Sequence, residues 1–417
     1  MSPVNAFLEL VYQANYGLRL FRLFWIALIY YGFHRHRSTP VQREAAFSTT
    51  DASIVCPSVD PERDFVDALR SWLANNPKQI FVVTTPRWFD KVSEFVNEVN
   101  DPRVTVHRVE ITGKRPGLVE GIKHTTTPAV VLLDDDVIWS PNTLEGLLLS
   151  LSEARDVGGV TPIKNNKNQK TNALEAVGAS RLDRRSVTNA AMAQFCNGQV
   201  FVCTGRTSAY RTEILQDPEF TKYFTGDLWM GKHPLRSGDD VAITSWLQRK
   251  GWRTGFVSKD DYAIISRPKQ AGVHLGQVLR WQRNRIRQVL RDIGNIFSDN
   301  PGWYRLRCFY SLLFPSMVED YLLCPDFLTV LVLLVARGLG FAQDSTVIPS
   351  ASTLVLHYFG FSALYELVYN SWHFYHCPQS LWQLPTLAVW GHVRVGIALY
   401  ALFTTSQSNW LTRIGAD

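Results

Sequence analysis

From Ser53 onward, short apolar runs alternate with stretches whose apolar side chains recur at helical spacing, and this constrains the fold more than any other feature. SIVCP (53–57), IFVVTT (80–85), VTVHRVE (104–110) and AVVLLDDD (129–136) read as strands. PERDFVDALRSWLANNP (61–77) and WFDKVSEFVNEVN (88–100) lie between them and read as helices. Strand and helix at βαβ spacing predict a parallel sheet with helices layered on it, an α/β fold. Ligands of such sheets bind beyond the carboxyl ends of the strands. The residues after SIVCP, IFVV and AVVLL are therefore the first to inspect. Neither G-x-G-x-x-G nor a Walker A sequence is present, so neither of the common phosphate loops applies.

Later segments extend the pattern. TPIKNNKNQK (161–170) reads as a polar loop and QVFVCTGRTSAYRTEIL (199–215) as strand, turn and helix. GDDVAITSWLQRKGW (238–252) opens a helix with an acidic turn. HLGQVLRWQRNRIRQVLRDIG (274–294) reads as one basic amphipathic helix, a type that lies on membrane surfaces. Its Arg283, Arg285, Arg287 and Arg291 are expected to meet anionic headgroups.

Both ends are apolar. Phe21–Phe33 reaches the roughly 20 residues of a span only if Arg19 and Arg22 snorkel. The basic flank His34–Arg37, with Arg43 beyond, predicts a cytosolic side. Three further spans are expected over 327–341, 354–369 and 384–403, after an interfacial segment at 303–323 broken at Pro315. The expected division is a membrane anchor (1–44), a cytosolic domain (45–273), interfacial helices (274–325) and a C-terminal transmembrane region (326–417). A mean hydropathy of −0.07 excludes a chain that is mostly bilayer-embedded. A net charge of +6 over 417 residues does not by itself imply nucleic acid. The six cysteines form no CxxC pair and there is no Asn-x-Ser/Thr sequon, which fits reduced thiols in a cytosolic setting.

Chemistry is suggested at a few places. Asp134-Asp135-Asp136 closes an apolar strand. If the pleat continued, Asp134 and Asp136 would share a side and could hold Mg²⁺ or Mn²⁺; an acidic helix cap is the plainer alternative. Asp240 of Gly238-Asp239-Asp240 could act as a general base or merely cap its helix. Gln277, Arg280 and Trp281 share one helical face, offering phosphate binding by Arg and a flat indole, or simply membrane anchoring. Lys114 in GKRPGLVEGI could reach a phosphate. Asp60 in CPSVD lies past the first strand, where a base or ribose would bind, or simply starts the next helix. Cys203–Arg206 could line an acceptor pocket, with Cys203 itself more simply a buried small residue.

In this order the motifs resemble those of the processive family 2 glycosyltransferases, which include cellulose, chitin and hyaluronan synthases. The chain is most similar to the fungal type 2 glycosyltransferases. The resemblance implies a glycosyltransferase-A-like fold with transmembrane helices at both ends. It assigns Asp134 and Asp136 to the metal (Mn²⁺ or Mg²⁺) and the nucleotide diphosphate. Asp240 becomes the catalytic base, with Asp239 beside it. Gln277, Arg280 and Trp281 close over the diphosphate and acceptor end, Lys114 contacts the nucleotide sugar, and Pro57 to Asp60 form the first nucleotide-binding loop. The implied donor is a UDP-sugar and the acceptor a growing polysaccharide, at the plasma membrane. A ceramide glucosyltransferase-like reaction on one lipid is the alternative. The small membrane part makes a homodimer or a non-processive reaction credible. One departure concerns the base: the family's acidic residue after its second strand is replaced by Thr84 and Thr85.

Overall fold

The computed structural model describes residues 2–38, 46–164, 173–266, 271–299 and 323–408, together with 302, 304–305, 308–309 and 312. Most of the expected interfacial segment at 303–323 and of the polar loop at 161–170 lies outside these.

The expected strands form as β1 (Ala52–Pro57), β2 (Gln79–Thr84), β3 (Val104–Arg108) and β4 (Ala129–Leu133), mutually parallel where they pair. After the short β5 (Val137–Trp139) come β6 (Val157–Pro162) and β7 (Thr207–Arg211), then the short pair β8 (Leu228–Trp229) and β9 (His233–Pro234), β10 (Arg253–Val257) and β11 (Ile264–Ser266). The main sheet has seven strands in the order β10-β6-β7-β4-β1-β2-β3. It is mixed rather than wholly parallel, because β7 runs antiparallel to both β4 and β6. Spacing alone carries no strand direction, and this one enters the sheet from the opposite end. The expected strand at QVFVC also begins later, at Thr207.

The helices are α1 (Pro3–Ser38), α2 (Asp64–Leu73), α3 (Phe89–Val99), α4 (Lys114–Lys123), α5 (Thr143–Leu151), α6 (Ala173–Phe195), α7 (Thr212–Leu215), α8 (Pro218–Thr225), α9 (Asp239–Arg249), α10 (Ala271–Ile296), α11 (Leu323–Gly338), α12 (Ala351–Tyr369), α13 (Ser371–His376) and α14 (Leu384–Phe403). Both faces of the central strands are buried, which explains their unbroken apolar runs. Val55, Val130 and Leu132 share one core cluster with Leu118 of α4 and Ala190 of α6. Ile54, Val131 and Leu133 share the other with Trp72 of α2 and Leu147 of α5.

The inner half of α1 belongs to the domain core. Ile26, Ile29 and Phe33 are fully buried in the cluster that holds Ala190 and Ala191. A Cβ at Gly32 would stand 2.6 Å from the Phe195 ring, so only glycine allows this approach. Arg19 and Arg22 do not snorkel as expected. Arg19 donates to Asp326 at 2.7 Å, joined there by Asn15, and the Arg22 guanidinium stacks 3.9 Å over Tyr365. A charge next to an apolar helix bundle is cheapest when paired inside it. Among the described residues, one helical stretch, Pro378–Phe403, is long and apolar enough to cross a membrane. Large apolar side chains also stay exposed on α1 (Phe7, Leu10, Phe24) and on α12 (Leu356, Phe359).

Helix α10 forms as expected, but its arginines face protein. Arg283 donates to Thr404 at 3.1 Å, Arg287 to the Thr405 carbonyl at 2.7 Å and Arg291 to Asp227 at 2.7 Å. The chain leaving α14 presents unpaired carbonyls there, and guanidinium groups satisfy them. The headgroup role expected for Arg283, Arg287 and Arg291 gives way to these contacts, and Arg285 instead lines a cavity.

Candidate functional site

Strand β4 ends at Leu133, so the pleat does not carry through the three acids; Asp135 and Asp136 lie in the turn before β5. Each carboxylate goes its own way. Asp134 accepts from the Lys114 ammonium at 2.6 Å, and Asp135 accepts from Ser58, in the loop after β1, at 2.6 Å. Asp136 is half-buried and within charge reach of the buried Lys164.

Lys114 opens α4 and is buried. Its ammonium bridges Asp134 at 2.6 Å and Asp239 at 2.9 Å, and also donates to the Gly205 carbonyl at 3.2 Å. Burial alone would lower its pKa; the two carboxylates outweigh that and hold it above the usual lysine value. A Cβ at Gly205 would sit 3.0 Å from this ammonium and 3.1 Å from the Asp239 carboxylate, so any side chain there would press on the ion pair.

The turn before α9 is clamped. Gly238 has φ 69°, a conformation that favours glycine, and directs Asp239 and Asp240 into the first turn. Arg115, next to Lys114, donates to the carbonyls of Ser237 and Gly238 and to Asp227 at 2.8 Å. Asp227 also takes Arg291 from α10, so this carboxylate ties α4 to α10, while Arg115 itself holds the turn before α9. Burial would raise the Asp227 pKa, but both guanidinium partners override it and keep it below the usual range. A lowered folded-state pKa means that its stabilisation is complete above the unfolded value of about 3.9 and is lost as pH falls through the folded one. Asp227→Ala strands two cations, one of them fully buried, and is expected to cost about 3–5 kcal/mol. Thermal unfolding of the full chain in detergent at pH 7 measures this.

These elements enclose a cavity of about 310 Å³ lined by Lys114, Asp134, Asp239, Asp240, Gln277, Arg280 and Trp281. All the sequence-predicted site residues are thereby brought together except Pro57, Asp60 and Asp136, which are not on its wall. Pro57 ends β1 and packs against Gly117 of α4, while Asp60 pairs with Lys91 at 2.7 Å. Arg280 is within charge reach of Asp134, Asp239 and Asp240, although burial lowers its pKa. Its buried Nε has no hydrogen-bond partner among the described residues. Arg280 itself lines the cavity, and a guanidinium there can receive an anion. The Arg181 guanidinium covers one side of the Trp281 ring at 4.6 Å, which leaves less of the indole open than the sequence suggests. Asp240 accepts from the Val241 amide at 2.9 Å and lies 3.8 Å from Arg185.

Several wall residues lie outside the predicted motifs. Arg181, Arg184 and Arg185 of α6 line the cavity with Arg394. The α6 set stands at i, i+3, i+4, one helical face, and was legible as such. Arg394 marks its apolar segment only as an interruption. Thr204, Gly205 and Arg206 line the cavity as expected, with Cys203 buried beneath and its thiol pushed up to about 12 by burial.

Residues 51–284 match the family described as glycosyltransferase like family 2, more than half the chain, and the protein belongs to that family. It is a glycosyltransferase. It is 28% identical over 386 residues to a type 2 glycosyltransferase of Zymoseptoria tritici, covering 92% of this chain and 79% of that protein. It is 29% identical over 213 residues to hyaluronan synthase of Streptococcus pyogenes, covering 50% of this chain and 49% of that protein. Among solved structures, the mannosyltransferase PcManGT from Pyrobaculum calidifontis, in complex with GDP-Man and Mn²⁺, is similar at a TM-score of 0.62 and 16% identity, over 95% of this chain and 99% of that chain. The fold is thus glycosyltransferase-A-like, a nucleotide-sugar-binding fold on a mixed α/β sheet.

Proposed function

We propose that the protein is a membrane-bound, multi-pass, inverting glycosyltransferase that transfers a sugar from a UDP-sugar to the hydroxyl of a growing polysaccharide, on the cytosolic face of the plasma membrane. The convergence of Lys114, Arg280 and the carboxylates of Asp134, Asp239 and Asp240 on one cavity wall carries the reading. Asp240 takes the proton of the acceptor hydroxyl as its oxygen attacks C1 of the donor sugar. The bond from C1 to the diphosphate oxygen breaks on the opposite face, its electrons leave with UDP, and the configuration at C1 inverts. Lys114 and Arg280 hold the departing diphosphate. Asp239 keeps Lys114 in place beside the base. Gln277 and Trp281 contact the acceptor end, and Pro57 to Asp60 border the nucleotide.

A divalent ion is proposed at Asp134 and Asp136, although among the described residues no group of three or more His, Cys, Asp or Glu side chains is placed to hold one, Asp134 already pairs with Lys114, and Asp136 lies off the cavity wall, so substrate phosphates would have to supply much of the shell. Mg²⁺ and Mn²⁺ take hard oxygen donors, and one or two protein carboxylates suffice when substrate phosphates complete the shell. When bound, such an ion neutralises charge on the leaving diphosphate. The proposed layout keeps the four regions, with anchor 1–44, domain 45–273, interfacial helices 274–325 and transmembrane region 326–417. Exposed apolar faces on α1 and α12, beside the Pro378–Phe403 stretch, support membrane insertion at both ends.

One observation favours a second reading, transfer to a single lipid. An apolar groove of about 470 Å³ between α10 and α14, lined by Leu275, Leu279, Val393 and Ile397, lies on the same helix pair that supplies Arg280 and Arg394 to the cavity. A panel of labelled UDP-sugars supplied with Mn²⁺ to membranes carrying the protein decides between them. Polymer without added lipid is the expected product, and a single addition that requires lipid establishes the second reading. Turnover of no UDP-sugar in the panel overturns both.

A further inference from the structure

The face that carries Gln277, Arg280 and Trp281 is only the first part of what α10 gives the cavity. Wall residues recur at helical spacing from Gln277 to Asp292. At 1.5 Å per residue that is about four turns and roughly 22 Å of helix. Lys114, Asp134 and Arg280 belong to the diphosphate end. Beyond Trp281 the same face presents Asn284 and Gln288, one turn apart, and neither takes part in the diphosphate site.

Hydrogen bonds fix which atom each of these two amides leaves for the cavity. Arg287 donates to the Asn284 Oδ1 at 2.8 Å. A guanidinium has no acceptor, so the amide oxygen must face it and Nδ2 faces away. Among the described residues this Nδ2 has no partner. The Gln288 Nε2 donates to Asp292 at 2.7 Å, and a carboxylate only accepts, so here Oε1 is the atom left over. One side chain thus offers an open donor and the next an open acceptor. Both are held from behind, because Arg287 is anchored on the Thr405 carbonyl at 2.7 Å and Asp292 is buried. Polar groups set in this way lose little freedom when a ligand arrives. The Asn284 amide also packs on Gly238, where a Cβ would stand 3.4 Å from it, so it lies against the turn that presents Asp240. An indole face followed by an uncharged donor and an uncharged acceptor suits a sugar ring, whose hydroxyls both donate and accept. An apolar chain satisfies neither amide, and an anion meets the open Oε1 as one acceptor meets another.

We propose that Asn284 and Gln288 form a second sugar subsite, which binds the neutral saccharide unit behind the one held by Trp281 and Asp240, so that the acceptor is an oligosaccharide of at least two units lying along α10. The inference rests on the reading of this cavity as an acceptor site with Asp240 as its base.

The test is a binding titration of the full chain in detergent micelles, with UDP and Mn²⁺ present. The probes are fluorescently labelled cello-, chito- and manno-oligosaccharides, each as disaccharide and tetrasaccharide. In the wild type at least one tetrasaccharide is expected to bind about fivefold more tightly than its disaccharide or better, the scale of one or two hydrogen bonds. That gain is expected to vanish in Asn284→Ala and in Gln288→Ala, while the affinities for UDP and for the disaccharide hold. Asn284→Asp keeps an acceptor for Arg287 and loses only the N–H donor; it is expected to lose the gain with no loss of thermal stability. A gain that survives either alanine variant, equal weakening of both chain lengths, or no gain with any of the three sugars in a wild type that binds UDP overturns the proposal. The reading beneath it fails on different results, unaltered turnover in Asp240→Asn for the base and no UDP binding for the donor, and either of these removes the proposal as well.

Discussion

Asp240→Asn is expected to lower kcat by at least about 10², the scale of a lost general base, with little change in affinity for the donor nucleotide. The side chain keeps its volume and can still accept from the Val241 amide, so α9 keeps its first turn. What disappears is an oxygen able to take the acceptor proton. Arg185 at 3.8 Å then faces a neutral amide, and its own carboxylate contact is lost. Initial rates of UDP release, measured beside UDP binding to the same preparation, separate the chemical step from the binding step. A folded Asp240→Asn enzyme with unaltered turnover contradicts the assignment.

Lys114→Met is expected to abolish tight donor binding and to destabilise the fold. The ammonium is buried between two carboxylates, and its loss leaves Asp134 and Asp239 facing each other across an apolar side chain. Breaking a buried pair from one side costs about 3–5 kcal/mol. The Asp134 side chain is 37% exposed, so solvent screens its share and the lower end of that range is expected. Donor binding loses a charge-assisted contact as well, roughly 1.5–3 kcal/mol, or about tenfold to a hundredfold in Kd. The pH dependence follows from the raised lysine pKa. Its stabilisation is fully present below the unfolded value of about 10.4 and fades only as pH rises through the higher folded value. Lys114 thus contributes no limb to a rate profile between pH 6 and about 10, and the acid limb belongs to carboxylates. A wild-type profile that falls between pH 8 and 9, with the fall removed in Lys114→Arg, contradicts this.

The strands were legible because each is buried on both sides and reads as an unbroken apolar run between turn residues. Direction was not: β7 runs against its neighbours and nothing in TSAYR encodes that. The site was legible where chemistry and spacing coincide. Gln277, Arg280 and Trp281 share a helix face, and Gly238-Asp239-Asp240 opens a helix; both reach the cavity. The partnership of Lys114 with Asp239 was not legible, since the two are 125 positions apart in the chain and only the packing of α4 against the turn before α9 joins them. The same holds for Asp227, which no motif marks although it holds Arg115 and Arg291. The partners of Arg19, Arg22 and Arg287 were not legible, for one reason. Composition shows a charge beside apolar residues, but not the Asp326, Tyr365 or Thr405 that receives it.

The central claim is that groups distant in sequence form one diphosphate site with a separate base beside it. Calorimetric titration of UDP with Mn²⁺ into the wild type, Lys114→Met and Asp240→Asn tests it most directly. The account predicts that Lys114→Met weakens UDP binding at least about tenfold while Asp240→Asn binds UDP as the wild type does. Wild-type affinity in Lys114→Met, or equal loss in both variants, contradicts it.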